Sequence, residues 1–216
     1  MAQTLPTTGP QAETPQDDPH LVEHTVQREQ LLHGHFLRVL RDTVRLPDGG
    51  EATREYVLHP GAVVIVPLLT GADGELRVVL ERQYRHPIGQ VILEFPAGKR
   101  DGQEDLLLCA RRELREETGY RAREWAHAGV MHPVAAYSDE YIDIWFARDL
   151  TLGERHLDPG EFLDVTTATV PELLQYCRDG RITDAKTLTG TLWLQNLLSG
   201  AWTLDWHANA DASAAG

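Results

Sequence analysis

An α+β fold, with a mixed sheet between helices, is what this sequence predicts, and three observations carry it. Valine- and isoleucine-rich runs bounded by Gly, Pro and Asp turn signals fill much of the first hundred residues. Near Glu104 the apolar period changes from that of a strand to that of a helix. Two further capped helical segments close the chain.

Residues 1–20, rich in Pro, Thr, Gln and Asp, read as a flexible tail, and residues 21–58 as a small antiparallel sheet or long hairpin. There Phe36, Leu40, Val44 and Leu46 fall at even spacings, "PDGG" supplies a turn, and Tyr56 and Leu58 follow. Phe36 and Tyr56 are expected as core residues of these strands, although either ring could also stack on a base. The main domain is expected over residues 59–199. It opens with a strand pair, "AVVIVPLLT" and "LRVVLERQY", joined by "GADGE". A short strand at Val91–Leu93 then leads into a tight Gly/Pro-rich loop. From Glu104 to about Thr118, Leu107, Ala110 and Leu114 make a buried stripe, and Gly119 supplies the C-terminal cap. A loop follows, then a strand with Ile142, Ile144 and Phe146 on one face. "TVPELLQYCRDG" has a Thr cap, an early Pro and a closing Gly, and "DAKTLTGTLWLQNLLSG" is the last helix. Residues 200–216 read as a second tail.

The formal net charge is −13, from 20 basic and 33 acidic residues. That excludes a basic footprint of the kind duplex DNA or an anionic membrane demands. Two cysteines, Cys109 and Cys177, make neither a disulfide framework nor a zinc cluster. Cys109 lies within the first helix and is expected to be buried and inert. No apolar run has the length of a membrane span, and the first residues lack the charged and apolar regions of a signal peptide. A reducing cytoplasm is the expected location.

Chemistry concentrates in "GKRDGQEDLLLCARRELREETGY". Residues three and four apart share a helix face, so Glu113, Glu116 and Glu117 are expected together, opposite the apolar stripe. Like charges at that spacing cost roughly 0.2–0.5 kcal/mol per pair. A divalent cation converts the penalty into a site, because Mg²⁺ and Mn²⁺ prefer carboxylate oxygens. The competing reading is a solvated face laced by Arg111, Arg112 and Arg115.

Spacing upstream separates these readings. Gly98, five residues, Glu104, seven residues and then "RELREETGY" reproduce G-x5-E-x7-R-E-U-x-E-E-x-G-U, with Leu114 and Tyr120 at the U positions. At roughly one in fifteen for each fixed position, chance reproduction is negligible. The segment resembles the signature of the Nudix hydrolases, and the resemblance extends over at least residues 60–199. It implies the Nudix α/β/α sandwich with a mixed sheet, here preceded by the small N-terminal antiparallel sheet.

By that resemblance Glu113, Glu117 and Glu116 are metal ligands, joined by the backbone carbonyl of Ala97. Gly98 would allow the sharp turn that aims this carbonyl. Glu104 and Arg112 would pair, pinning the loop to the helix. The implied reaction is hydrolysis of a nucleoside diphosphate linked to a second group, with Mg²⁺ or Mn²⁺ as cofactor. "ERQYRHPIG" followed by "LEFPAG" resembles the ADP-ribose pyrophosphatase branch. There Arg85, with Arg82, Glu94 and Gly98 beside it, would stand on the substrate side. Glu140 of "YSDE" would be the general base, with Glu116 its rival. Products would be AMP and ribose 5-phosphate. Ala135 and Ala136 stand where that branch commonly has Pro-Gly, which leaves another nucleotide sugar, such as GDP-mannose, as the alternative. A non-catalytic ADP-ribose sensor would carry an eroded signature, whereas this one is intact. The resemblance also implies a homodimer built with the N-terminal strands and no nucleic-acid or membrane partner. His86 and His132 are bystanders.

Overall fold

A computed structural model describes residues 18–208. The stretches 1–17 and 209–216, which hold most of the two expected tails, lie outside the described residues. The described residues divide into two compact units, 18–60 with 132–141 and 61–131 with 142–208.

In the first unit, β1 (His24–His33), β2 (Arg38–Arg45) and β3 (Glu51–Leu58) form an antiparallel sheet in that order. The "PDGG" turn closes as its chemistry requires. Asp48 accepts from the Gly50 amide at 2.9 Å, and Gly49 takes φ 87°. Strand β2 buries Leu40, Asp42 and Val44 on one face. Phe36, expected in the core, is about half exposed and meets the His59 ring edge-on at 5.6 Å. The buried acid is satisfied: Arg28 donates to Asp42 through Nε at 2.8 Å and Nη2 at 2.7 Å, and the Thr25 and Tyr56 hydroxyls donate at 3.1 Å each. The end of β3 also carries the returning segment. The Val57 amide donates to the Tyr137 carbonyl at 2.9 Å, Ser138 Oγ donates to the Val57 carbonyl at 3.0 Å, and the His59 amide donates to Asp139 at 2.7 Å.

The Arg28 fork holds the Asp42 carboxyl down at about 2. A depressed acid contributes stability that is complete above the ordinary carboxylate range and is lost as pH falls through the folded value. Acid titration of the wild type should therefore loosen this sheet as pH drops below ~4 towards ~2. Asp42→Asn should be less stable at neutral pH and flat across that window, as followed by circular dichroism.

In the second unit, β4 (Ala62–Thr70) and β5 (Leu76–Arg85) form the expected hairpin, followed by β6 (Gln90–Glu94). Next come β7 (Ala97–Lys99), α1 (Leu106–Glu113), β8 (Tyr120–Met131), β9 (Ile142–Leu152) and β10 (Leu163–Thr169). Helices α2 (Val170–Arg178) and α3 (Ala185–Leu198) precede a short β11 (His207–Ala208). The sheet runs β10-β5-β4-β9-β8-β11, with β6 added to β5 and β7 to β4. Only β4 and β9 pair in parallel, so the sheet is mixed.

Strand β4 is buried on both faces and sorts the core by alternation. Val63 and Ile65 pack with Cys109, Ala110 and Leu114 of α1 and its extension. Val64 and Val66 pack with Leu80, Phe95, Leu173 and Leu194 on the opposite side, where α2 and α3 lie. Helix α3 approaches closely because residue 190 is Gly: a Cβ there would stand 3.0 Å from Val66 and 3.1 Å from Phe95. This is the helix–sheet–helix sandwich.

Three strands depart from expectation. β7 was expected as loop, whereas Gly98 is in fact paired with Val63. β8 is rich in Ala and charged residues and β10 in Thr, so neither shows a Val/Ile run, yet both hold long registers. The segment after α3 is also engaged: Trp202 meets Trp193 at 4.4 Å, and Arg148 lies 3.9 Å over Trp206.

Candidate active site

Helix α1 starts two residues later than expected, capped by Asp105, whose carboxylate accepts from the Leu107 and Leu108 amides at 3.0 and 3.1 Å. Leu114–Thr118 then widens into a π-helical turn, and Gly119 ends it at φ 79°. Wide turns of this kind recur at functional sites. This one corrects the expectation that three glutamates face away from the apolar stripe. Glu117 is only 3% exposed and turns inward, Glu113 is largely buried, and Glu116 stays nearer the surface. The Ala97 amide donates to Glu117 Oε2 at 3.0 Å, so Ala97 stands beside that carboxylate.

Gly98 has a different reason from the expected turn. A Cβ on it would lie 1.9 Å from Glu113 Cδ and 2.0 Å from Oε1. The glycine is the floor against which the Glu113 carboxylate rests.

Glu104 and Arg112 meet through two bonds, Nε to Oε1 at 3.1 Å and Nη2 to Oε2 at 2.9 Å. The other face of the fork reaches Glu113 at 2.8 Å and Glu116 at 3.2 Å, and Nη2 also donates to the Lys99 carbonyl at 3.1 Å. Arg112 thus ties the loop and three carboxylates together, and Glu104 is held below its ordinary range chiefly by that hydrogen bond. Cys109 is fully buried, and burial pushes its thiol up to about 12.

Strand β5 delivers the remaining groups by alternation. Arg82 points to the outer face, largely exposed, 3.4 Å from Asp164, and lines a separate cavity of about 390 Å³ with Tyr176 and Arg181. It does not join the others. Arg85 and Glu81 share the inner face. Glu94, read from sequence as a substrate-side position, is 1% exposed and instead holds cations: Arg85 Nε at 2.8 Å and Lys186 Nζ on its other oxygen. Lys186 also pairs with Asp184 at 3.1 Å, while Asp184 caps α3 and Thr187 Oγ1 accepts from the Phe95 amide at 2.9 Å. That gives "DAKT" the role its sequence did not disclose. Lys186→Met would leave a buried carboxylate with one partner fewer. It should cost ~3–5 kcal/mol of unfolding free energy in urea.

Two residues were missed altogether. Glu81, 1% exposed, sits opposite Glu94 in the β5–β6 register, and its Oε1 has no hydrogen-bond partner among the described residues. Glu161, in the loop before β10, is contacted by Gln83 at 3.4 Å. Each is a single acid without a motif, so only the fold reveals it. Their effect is electrostatic. Burial first, then Glu94 and Glu161, pushes Glu81 up to about 8. Burial, together with Glu116 and Glu161 and against Arg112, pushes Glu113 to about 7. Burial, then Glu81, Glu113 and Glu161, holds Glu117 well above its ordinary range. Glu140 belongs to the first unit, where it lies 3.7 Å from His59 Nε2 and its amide donates to Ser138 at 3.1 Å.

Hard oxygen donors buried together, one of them orphaned, fit a divalent cation. Among the described residues no group of three or more His, Cys, Asp or Glu is placed to hold a metal ion as it stands. The reason is visible: Arg112 draws Glu113 one way and the Ala97 amide holds Glu117 another. No described helix is long and apolar enough to cross a membrane.

Relatives agree with this architecture. A methanol dehydrogenase activator of Bacillus methanolicus is 38% identical over 177 residues, 80% of this chain and 92% of that protein. ADP-ribose pyrophosphatases of Bacillus subtilis and Mycobacterium tuberculosis are each 33% identical, spanning 81% and 83% of this chain and 94% and 88% of theirs. A solved ADP compounds hydrolase superposes with a TM-score of 0.73 at 21% identity, over 83% of this chain and 95% of its own. Residues 23–57 match the nucleoside diphosphate sugar hydrolase N-terminal domain, the segment of β1–β3. The NUDIX domain matches residues 58–188, more than half of the chain, and this protein belongs to the Nudix hydrolase family.

Proposed function

We propose that the protein hydrolyses the diphosphate bond of ADP-ribose to AMP and ribose 5-phosphate, with Mg²⁺ as cofactor and Mn²⁺ as its substitute. The observation that carries this is the pair of inward carboxylates, Glu113 and Glu117, seated on the β7 strand behind the intact signature. Two relatives named ADP-ribose pyrophosphatase, each aligned over most of both chains, supply the substrate.

Glu113, Glu117, Glu116 and the Ala97 carbonyl would hold the cation. When bound, it neutralises diphosphate oxygens and lowers the pKa of water. The chain's own groups do the rest. Arg85, fixed by Glu94, offers its remaining guanidinium donors to a phosphate oxygen. Arg112 keeps loop and helix in register through Glu104. A carboxylate takes a proton from the attacking water. A new P–O bond forms, the bridging P–O bond breaks, and the departing phosphate leaves as a monoester. For the base, Glu161 has the support that its charge bears on Glu113 and Glu117, while Glu140 has the support of its sequence context. Glu161→Gln should reduce kcat ~10²–10⁴-fold with KM little changed, and Glu140→Gln should not. The opposite pattern makes Glu140 the base.

The deciding assay is a panel of nucleotide sugars with Mg²⁺, scored by release of AMP or GMP. ADP-ribose should give the highest kcat/KM. GDP-mannose winning would make the Ala135-Ala136 departure the better guide to substrate. A cytoplasmic homodimer completes the reading. For the dimer the support is the exposure of Val26, Leu31, Leu32, Phe36 and Leu37 around β1, an apolar set suited to a second copy. Light scattering on the purified protein should return twice the chain mass.

A further inference from the structure

Glu81 is the only carboxylate among the described residues with a buried oxygen that accepts no hydrogen bond. Leaving a carboxylate ionised, dry and unpaired costs several kcal/mol in real proteins, so such a group stays protonated until it finds a donor or a cation. The nearby cations are drawn to Glu94 rather than to Glu81. Arg85 gives Nε to Glu94, and Lys186 divides itself between Glu94 and Asp184. No side chain of the described residues donates to Glu81 Oε1.

Placement defines where that oxygen belongs. In β5, Glu81 and Arg85 share the inner face, and the antiparallel register sets Glu81 against Glu94 at the start of the segment leading to Ala97. Among charged groups acting on Glu117, Glu81 stands first. Glu81 therefore faces the same space as the inward signature carboxylates, although it comes from a different strand and lies seventeen residues before Gly98.

Resting on the metal-dependent reading above, we propose that Glu81 is a further ligand of the divalent-cation site, contributing its unpartnered oxygen to Mg²⁺ or Mn²⁺ together with Glu117. The ligand set then extends beyond the signature helix to strand β5. A carboxylate from outside the helix gives the site a second wall. Exposed acids near the helix, such as Asp101 and Asp105, lack this property, since Asp105 is spent on the helix cap.

Titration of the full-length protein with Mn²⁺, followed by electron paramagnetic resonance, tests the proposal. Wild type, Glu81→Gln, Glu81→Asp and Glu117→Gln are compared, with folding checked by circular dichroism in EDTA. Glutamine keeps the shape and removes the charge, and aspartate keeps the charge and withdraws the oxygen by one methylene. A ligand requires both, so both Glu81 variants should weaken Mn²⁺ binding about tenfold or more. Wild-type affinity in Glu81→Gln overturns the proposal. So does full affinity in Glu81→Asp beside weak binding in Glu81→Gln, which would make Glu81 a distant charge only. Should Glu117→Gln also bind Mn²⁺ normally, the metal-dependent reading itself fails.

Discussion

Glu117→Gln should abolish most turnover of ADP-ribose, lowering kcat by roughly three orders of magnitude, because a metal ion supplies several kcal/mol of transition-state charge stabilisation and each 1.36 kcal/mol is tenfold. The physical basis is the inward turn of this one side chain. It is 3% exposed, anchored by the Ala97 amide at 3.0 Å, and crowded by Glu81 and Glu113. Glutamine still accepts from that amide, so the fold persists, and without cation the variant should be at least as stable as the wild type. Mg²⁺ should raise the melting temperature of the wild type and leave that of the variant unchanged. Scanning calorimetry with and without Mg²⁺, beside a discontinuous AMP assay, reads both effects. A variant that keeps its activity removes Glu117 from the ligand set.

Gly98→Ala is the second substitution expected to harm activity, and its cause is space rather than charge. The added methyl would stand 1.9 Å from Glu113 Cδ, with Oε1 and Oε2 at 2.0 and 2.3 Å. The strand is pinned by its pairing with Val63, so the Glu113 carboxylate has to leave its seat. Only the far end of a flexible side chain has to move, so stability should change little and the effect falls on the position of the carboxylate. Loss of one ligand's position should lower kcat by roughly 10²-fold, since small misplacements carry that penalty. Urea unfolding and Mn²⁺ titration measure the two parts separately. Unchanged Mn²⁺ affinity would show that Glu113 has room the geometry denies.

Much of this site was legible beforehand because its spacing is periodic. Glu104, Arg112, Glu113, Glu116 and Glu117 stand at intervals that a loop and one helix turn into neighbours; the Arg112 fork joins Glu104, Glu113 and Glu116, and the Ala97 amide holds Glu117. Periodicity says nothing of the π-helical turn, which decides that Glu117 points in and Glu116 does not. Glu81 and Glu161 were invisible for a related reason. One lies in a strand and one in a loop, and they reach the site through strand pairing and chain return rather than through spacing. Lys186 is the same case, reaching Glu94 across the fold. Among the strands, β4 and β5 declared themselves through Val and Ile, whereas β8 is held by its partners more than by its composition.

The Lys186–Glu94 contact joins residues 92 positions apart. A ribosome feeds out the chain from its N-terminus, so every signature glutamate emerges well before the ammonium group that balances Glu94. Translation products cut short ahead of Ala185 carry every signature glutamate and still leave Glu94 of β6 with Arg85 as its one cation among the described residues. Completion of the Glu94 ion-pair network is thus timed to the last helix.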